Sequence, residues 1–189
     1  MFRTAAKSFV QQLINAGANL DVKMLAKLAM HQYNAQILDI ILEKVGVNFK
    51  DRNDGTLLHI AADSGYLDAA KMLIDKESSL INSTDKYYQR PIHLAAEKGH
   101  HKVLVFLLDS RAKVNVLANY EYDDKNTLPS VSPLHLAACY GHVKCVELLL
   151  KHEADTDQQN KNGLMALHLA AYGGHLGMAK LLLEKRAYE

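Results

Sequence analysis

Ten histidines and two cysteines are the residues of this 189-residue chain best suited to chemistry. Imidazole and thiolate are common zinc ligands, and a Cys–His pair can also form a thiol nucleophile. The densest group is Cys139-Tyr140-Gly141-His142-Val143-Lys144-Cys145, with His152 further on. Its histidine is not peculiar to it, because Gly99-His100 and Gly174-His175 repeat the dipeptide without cysteines. Cys139 and Cys145 fall on different helices separated by a turn, so two free thiols are expected. No third residue can be assigned to orient a Cys–His nucleophile. Asp123-Asp124 is an isolated acidic pair lacking the spacing and glycine of a calcium loop. No Gly-x-Gly-x-x-Gly or phosphate-loop pattern occurs. The residues therefore predict no catalytic group, no metal and no cofactor.

Four more histidines are explained by repetition. Leu58-His59-Ile60-Ala61-Ala62 returns as Ile92-His93-Leu94-Ala95-Ala96, Leu134-His135-Leu136-Ala137-Ala138 and Leu167-His168-Leu169-Ala170-Ala171. Six residues after each histidine stands a glycine, namely Gly65, Gly99, Gly141 and Gly174. Paired aliphatics follow at Leu73-Ile74, Leu107-Leu108, Leu149-Leu150 and Leu182-Leu183. The histidines are 34, 42 and 33 residues apart, a period near 33 with about nine residues inserted in the middle gap. Stacked repeats hold equivalent side chains roughly 8–10 Å apart. Zinc–nitrogen bonds of about 2.0–2.1 Å cannot gather them.

Each unit reads as two short helices. The Ala-Ala pair of the first lets a neighbouring helix approach closely, and the glycine after it can adopt the left-handed backbone that stops a helix. The second carries a helical apolar stripe such as Leu67, Ala70, Leu73 and Ile74. Neither buries its apolar side within one unit, so units must stack. Pro91 and Pro133 sit just inside first helices, where a missing amide hydrogen is harmless. Asn53-Asp54-Gly55 and Lys161-Asn162-Gly163 predict turns at projecting finger tips.

Composition agrees with such an array. Apolar residues make up 49% of the chain, enough for a substantial core, and 22 basic residues against 21 acidic leave a net charge of +1. That balance argues against a dedicated nucleic-acid or anionic-membrane surface. The longest apolar run, Val103 to Leu108, is too short to cross a bilayer, and the first residues lack the pattern of a secretory signal. With two cysteines there is no disulfide framework, so an intracellular, cytoplasmic setting is expected.

These blocks resemble the ankyrin repeat family, whose Thr-Pro-Leu-His-x-Ala-Ala signature appears as Ser132-Pro133-Leu134-His135-Leu136-Ala137-Ala138. The resemblance is most specific from Asn48 onward. It implies an all-α solenoid of stacked helix-turn-helix units with projecting loop or β-turn fingers. The whole chain then forms one domain: a partial repeat at 1–20, a degenerate repeat at 21–51, and clear repeats at 52–85, 86–127 (with the insertion), 128–160 and 161–189. In the degenerate unit Lys27 or Ala26 stands in the histidine's place. The family's motif histidine holds the loop through hydrogen bonds. The usual glycine after the second helix is present at Gly17 and Gly46, but about Glu77, Arg111, Glu153 and Arg186 replace it later. A left-handed backbone there costs roughly 1–2 kcal/mol per residue, so those repeats should be less stable or locally rearranged.

The resemblance also implies a protein partner, bound on a concave side by finger tips and the exposed face of first helices. Four and five residues after the motif histidine this gives Asp63-Ser64, Glu97-Lys98, Cys139-Tyr140 and Tyr172-Gly173. A finger adds Tyr87, Tyr88 and Arg90, and the insertion, about Val116 to Ser130, adds Tyr120 and Tyr122. The expected binding residues are thus Asp63, Ser64, Tyr87, Tyr88, Arg90, Glu97, Lys98, Tyr120, Tyr122, Tyr140 and Tyr172. Tyrosine and arginine concentrate binding energy. The expectation is a monomer without catalytic activity that binds neither nucleic acid nor membrane. The lack of a polar capping helix before Glu189 makes a fragment of a longer protein the expectation, with a targeting portion of an enzyme or toxin as the alternative.

Overall fold

The computed structural model describes residues 26–27, 35–123 and 126–186. The predicted partial repeat at 1–20, with Gly17, lies outside them, as does Leu28-Ala29-Met30 of the degenerate unit. Ala26 and Lys27 are helical, and α1 (Ala35–Val45) is that unit's second helix. Then come α2 (Leu57–Ser64), α3 (Leu67–Lys76), α4 (Pro91–Glu97), α5 (His101–Asp109), α6 (Pro133–Cys139), α7 (Val143–Lys151), α8 (Ala166–Tyr172) and α9 (Leu176–Arg186). First helices pack on first helices, α2 on α4, α4 on α6 and α6 on α8, while the second helices α3, α5 and α7 pack in their own row. This is the stacked solenoid that the repeat predicts.

The Ala-Ala pairs explain the close stacking. Ala61, Ala62, Ala95, Ala96, Ala137 and Ala138 are fully buried between neighbouring first helices. Leu73, Leu107 and Leu149, from the aliphatic pairs, are fully buried on the second row. Pro91 and Pro133 open α4 and α6, where no amide hydrogen is needed.

Helix ends follow two rules. After the first helix Gly65, Gly99, Gly141 and Gly174 are all left-handed, with φ between 72° and 76°. After the second helix Gly46 is left-handed (φ 79°), and so are Arg111 (70°) and Glu153 (61°) despite their side chains. Glu77 departs from the pattern. Its backbone is extended, and the chain turns instead through a 3-10 segment, Ser78–Asn82, with the Glu77 carboxylate accepting from Ser79 N at 3.1 Å. Of the four glycine replacements, Arg111 and Glu153 therefore accept strain, Glu77 rearranges, and Arg186 is still helical at the end of α9.

The insertion is not an irregular loop. It forms an antiparallel hairpin, β1 (Ala118–Asp123) and β2 (Asn126–Val131), paired from Ala118↔Val131 to Asp123↔Asn126. Asp124 lies outside the described residues.

The glycine after the first helix has a second duty. A methyl carbon at Gly99 would lie 2.6 Å from Nδ1 of His142 in the next repeat, and Gly65 stands likewise against His100. At Gly174, also left-handed, a methyl would meet nothing within 4 Å. Gly174→Ala should therefore cost only the backbone strain, about 1–2 kcal/mol. Gly99→Ala should cost more, because the His142 ring must leave its hydrogen bond, and His142→Ala should remove that excess. Equal losses in urea unfolding for the two glycine variants would refute the packing role.

Candidate functional site

The face bearing the fingers and first helices is built on the motif histidines. Nδ1 of His59 accepts from the amide of Thr56 (3.1 Å), three residues earlier, so the proton resides on Nε2. Nε2 then donates across the repeat boundary to the Gln89 carbonyl at 3.0 Å. His135 does the same, accepting from Ser132 N at 3.2 Å and donating to Leu164 O at 3.0 Å. His93 accepts from Arg90 N at 3.0 Å and donates to Val116 O at 3.2 Å, just before the hairpin. His168 accepts from Met165 N at 3.0 Å. A second rung lies at the other end of the first helices, where His100 donates to Asp63 O (3.0 Å) and His142 to Glu97 O (2.7 Å).

The finger turns rest on one side-chain oxygen each. Asp51 Oδ1 accepts from Asn53 N (2.8 Å) and Gly55 N (2.9 Å). Asp85 Oδ1 accepts from Tyr87 N (2.9 Å) and Gln89 N (2.8 Å), and Asn160 Oδ1 from Asn162 N and Leu164 N, both at 2.9 Å. These three residues each stand eight before a motif histidine. That recurrence is visible in the sequence but is absent from the predicted binding set, as is Gln89.

The predicted binding residues separate into groups. Tyr88 (63% exposed) and Tyr172 (80%) stand free in solvent. Asp63, Ser64, Tyr87 and Tyr140 are half-buried, and Lys98 is exposed. Asp63 and Tyr140 lie within electrostatic range of Lys98, so the first-helix sites of three successive repeats form one row. Tyr140 stacks on His142. Asp63 and Tyr87 line one cavity together with Asp51, Asp85 and Gln89. Glu97 is buried and ion-paired to Lys98. Arg90 is half-buried and turns back to donate from Nε to Asn82 O at 3.1 Å. Tyr120 and Tyr122 are on β1, and their side chains lie outside the described residues.

The cysteines are placed as their spacing predicts. Cys139 ends α6, Cys145 lies in α7, and both thiols are free and buried. Burial raises both above the ordinary thiol value, Cys145 to about 11, which opposes thiolate chemistry. Among the described residues no three His, Cys, Asp or Glu side chains are grouped to hold a metal, and no helix is long and apolar enough to cross a membrane.

His59 and His135 each pin the finger of the next unit, and the sequence comparison identifies the family of this scaffold. The family pattern described as Ankyrin repeats (3 copies) matches residues 3–85, 24–118 and 114–189. The chain belongs to the ankyrin repeat family. It is similar to inversin of Canis lupus familiaris, 36% identical over 118 residues, which cover 60% of this chain and 10% of that protein. Ankyrin repeat domain-containing protein 63 of Mus musculus is 31% identical over 116 residues, 61% of this chain and 28% of its own length. The nuclear factor NF-kappa-B p105 subunit of Gallus gallus is 28% identical over 169 residues, 85% of this chain and 15% of its own. The chain thus spans between a tenth and somewhat over a quarter of these relatives.

The histidine rungs make stability depend on pH. Burial lowers the affinity of His59, His93 and His135 for a second proton, holding His93 at about 4, with carbonyl bonds only partly opposing. The unfolded chain protonates near pH 6.5, so below that value it binds more protons than the folded ankyrin stack. Stability is full above about pH 6.5 and should fall toward pH 4, by up to about 1.4 kcal/mol per pH unit for each histidine. Urea midpoints measured from pH 7.5 to pH 5 should decrease, and His93→Gln should flatten the slope. A midpoint independent of pH over that range would overturn the neutral-imidazole assignment.

Proposed function

We propose that this chain, as ankyrin repeats do in general, binds a partner protein, here through its finger tips and the row of first-helix sites, without catalytic activity of its own. One observation carries the reading. Five residues before each motif histidine the backbone is left-handed, and the position is filled by Asp54, Tyr88, Ser130 and Gly163. Aspartate and glycine suit that conformation, whereas a bulky side chain there is a true outlier. The scaffold gains nothing from a tyrosine at this place, and Tyr88 projects into solvent at the end of its finger. Strain kept at an exposed aromatic is characteristic of a contact residue.

The row of Asp63, Lys98 and Tyr140 gives this surface its variation, since these positions differ between repeats while the packing positions recur. Tyr87 sits beside Tyr88, its ring covered on one side by Lys86 at 4.5 Å. A second reading keeps the surface but makes it the recruiting portion of a longer enzyme, toxin or effector. It is supported by the small share of each relative that the chain spans, one relative being a probable E3 ubiquitin-protein ligase of Oryza sativa matched over 27% of its length.

Affinity capture with the full chain should retain a partner that the triple variant Tyr87→Ser, Tyr88→Asn, Tyr140→Ser loses, by at least about tenfold in affinity. Asparagine tolerates the left-handed backbone at position 88, so the variant should unfold at the same or higher urea concentration. Undiminished capture by the folded variant would remove this surface from consideration.

A further inference from the structure

Between the fingers of the first two clear repeats lies a cavity of about 170 Å³, far larger than the roughly 10–15 Å³ that one water needs. Asp51, Asn53, Asp85, Tyr87 and Gln89 form its polar wall, and Ile60 and Leu94 its apolar floor. Asp63 closes the helix side, its carboxylate paired with Lys27 at 3.1 Å.

Two groups in this wall point to a ligand. Gln89 is 9% exposed, and its side-chain amide makes no hydrogen bond among the described residues, although its backbone amide and carbonyl are both engaged. Gln89 lines the cavity, so its amide is open to a ligand there. Asp85 uses only Oδ1 in its turn, and Oδ2 accepts no hydrogen bond among the described residues. Burial raises the Asp85 carboxyl above its usual range, although the amides of Gln89 and Tyr87 oppose the shift. The carboxylate is half-buried, and no basic side chain is bonded to it among the described residues.

We propose that this cavity receives an arginine side chain of the bound partner, its guanidinium meeting Asp85 Oδ2 and the Gln89 amide oxygen while its methylenes lie on Ile60 and Leu94. The inference rests on the protein-binding reading above and names one element of what is bound. Guanidinium suits the site better than ammonium because its planar fork reaches several acceptors at once and its weak hydration eases burial. A divalent ion fits poorly, because the carboxylates are spread along the walls and no three acidic, histidine or cysteine groups converge.

The charge can be tested apart from the turn. Asn160 holds the same two amides in its own finger that Asp51 and Asp85 hold in theirs, so asparagine keeps the turn, although its Nδ2 finds no partner there. The full chain, labelled with nitrogen-15, would be titrated with the capped peptides Gly-Gly-Arg-Gly-Gly and Gly-Gly-citrulline-Gly-Gly. The arginine peptide should shift the Gln89 side-chain amide and the Asn53 and Tyr87 backbone amides saturably, with citrulline at least about tenfold weaker. Asp51→Asn with Asp85→Asn should abolish the difference between the peptides while keeping the wild-type backbone amide spectrum and a cooperative urea transition. Gln89→Leu should also weaken the arginine peptide. Equal shifts with citrulline, no saturable shift, or unchanged binding by the double asparagine variant would overturn the proposal. So would calcium chloride producing the same Gln89 shifts and displacing the peptide. Because the probes are isolated peptides, a negative result leaves the protein-binding reading to be judged by capture with the tyrosine variant.

Discussion

One hydrogen-bonded unit governs the structure: a neutral imidazole that accepts from its own helix entrance and donates to the next repeat. Both bonds require one tautomer, with Nδ1 bare and Nε2 protonated, and burial enforces the neutral state. In His59 and His135 the rung ends on the carbonyl four residues before the next motif histidine, which is Gln89 or Leu164. Each rung therefore fixes two things, where a first helix begins and where the neighbouring finger stands. Stacked helices alone would leave the fingers free to swing, because the apolar core touches only their roots. The finger surface is as rigid as these rungs make it.

A second ladder, of His100 and His142, works at the opposite end of the first helices. There the imidazole lies on the glycine of the preceding unit and bonds the carbonyl two residues before it. The glycine is thus required twice, by the left-handed turn and by the lack of room for a side chain. Two ladders at two ends prevent a first helix from rotating about its axis. That constraint keeps Asp63, Lys98 and Tyr140 in one row across three repeats.

Much of this architecture is legible in the residues, and the reason is periodicity. The pairs of alanines and the left-handed glycines are dictated by local rules that hold in every copy, so four copies confirm one another, and prolines open two of the first helices. The same logic could have exposed the finger oxygens, since Asp51, Asp85 and Asn160 recur at one offset. They are hidden by the third clear repeat, where the offset falls on Thr127 within the hairpin. Position-specific outcomes are less legible. Nothing local distinguishes Glu77, which escapes into a 3-10 turn, from Arg111 and Glu153, which accept a left-handed backbone. Burial of Glu97 beside exposed Lys98 likewise depends on the neighbouring repeat, through the His142 ring that bonds its carbonyl.

The insertion shows how the array absorbs an addition without losing a rung. His93 should reach the carbonyl of Val131, four residues before His135, if the period held. It donates instead to Val116 O, with the Val131 carbonyl also facing the ring. Ala118 and Val131 are both buried and pair directly, so the chain leaves and rejoins the stack at nearly the same place. The described residues between them pair as antiparallel strands, and Asn119 N also donates to Tyr87 O of the preceding finger at 2.8 Å. Placed anywhere else in the unit, a comparable insertion would separate a histidine from its carbonyl or a glycine from the imidazole above it. The finger beside the rung is the one position where added length costs little more than loop entropy, and it is also on the side proposed to meet a partner.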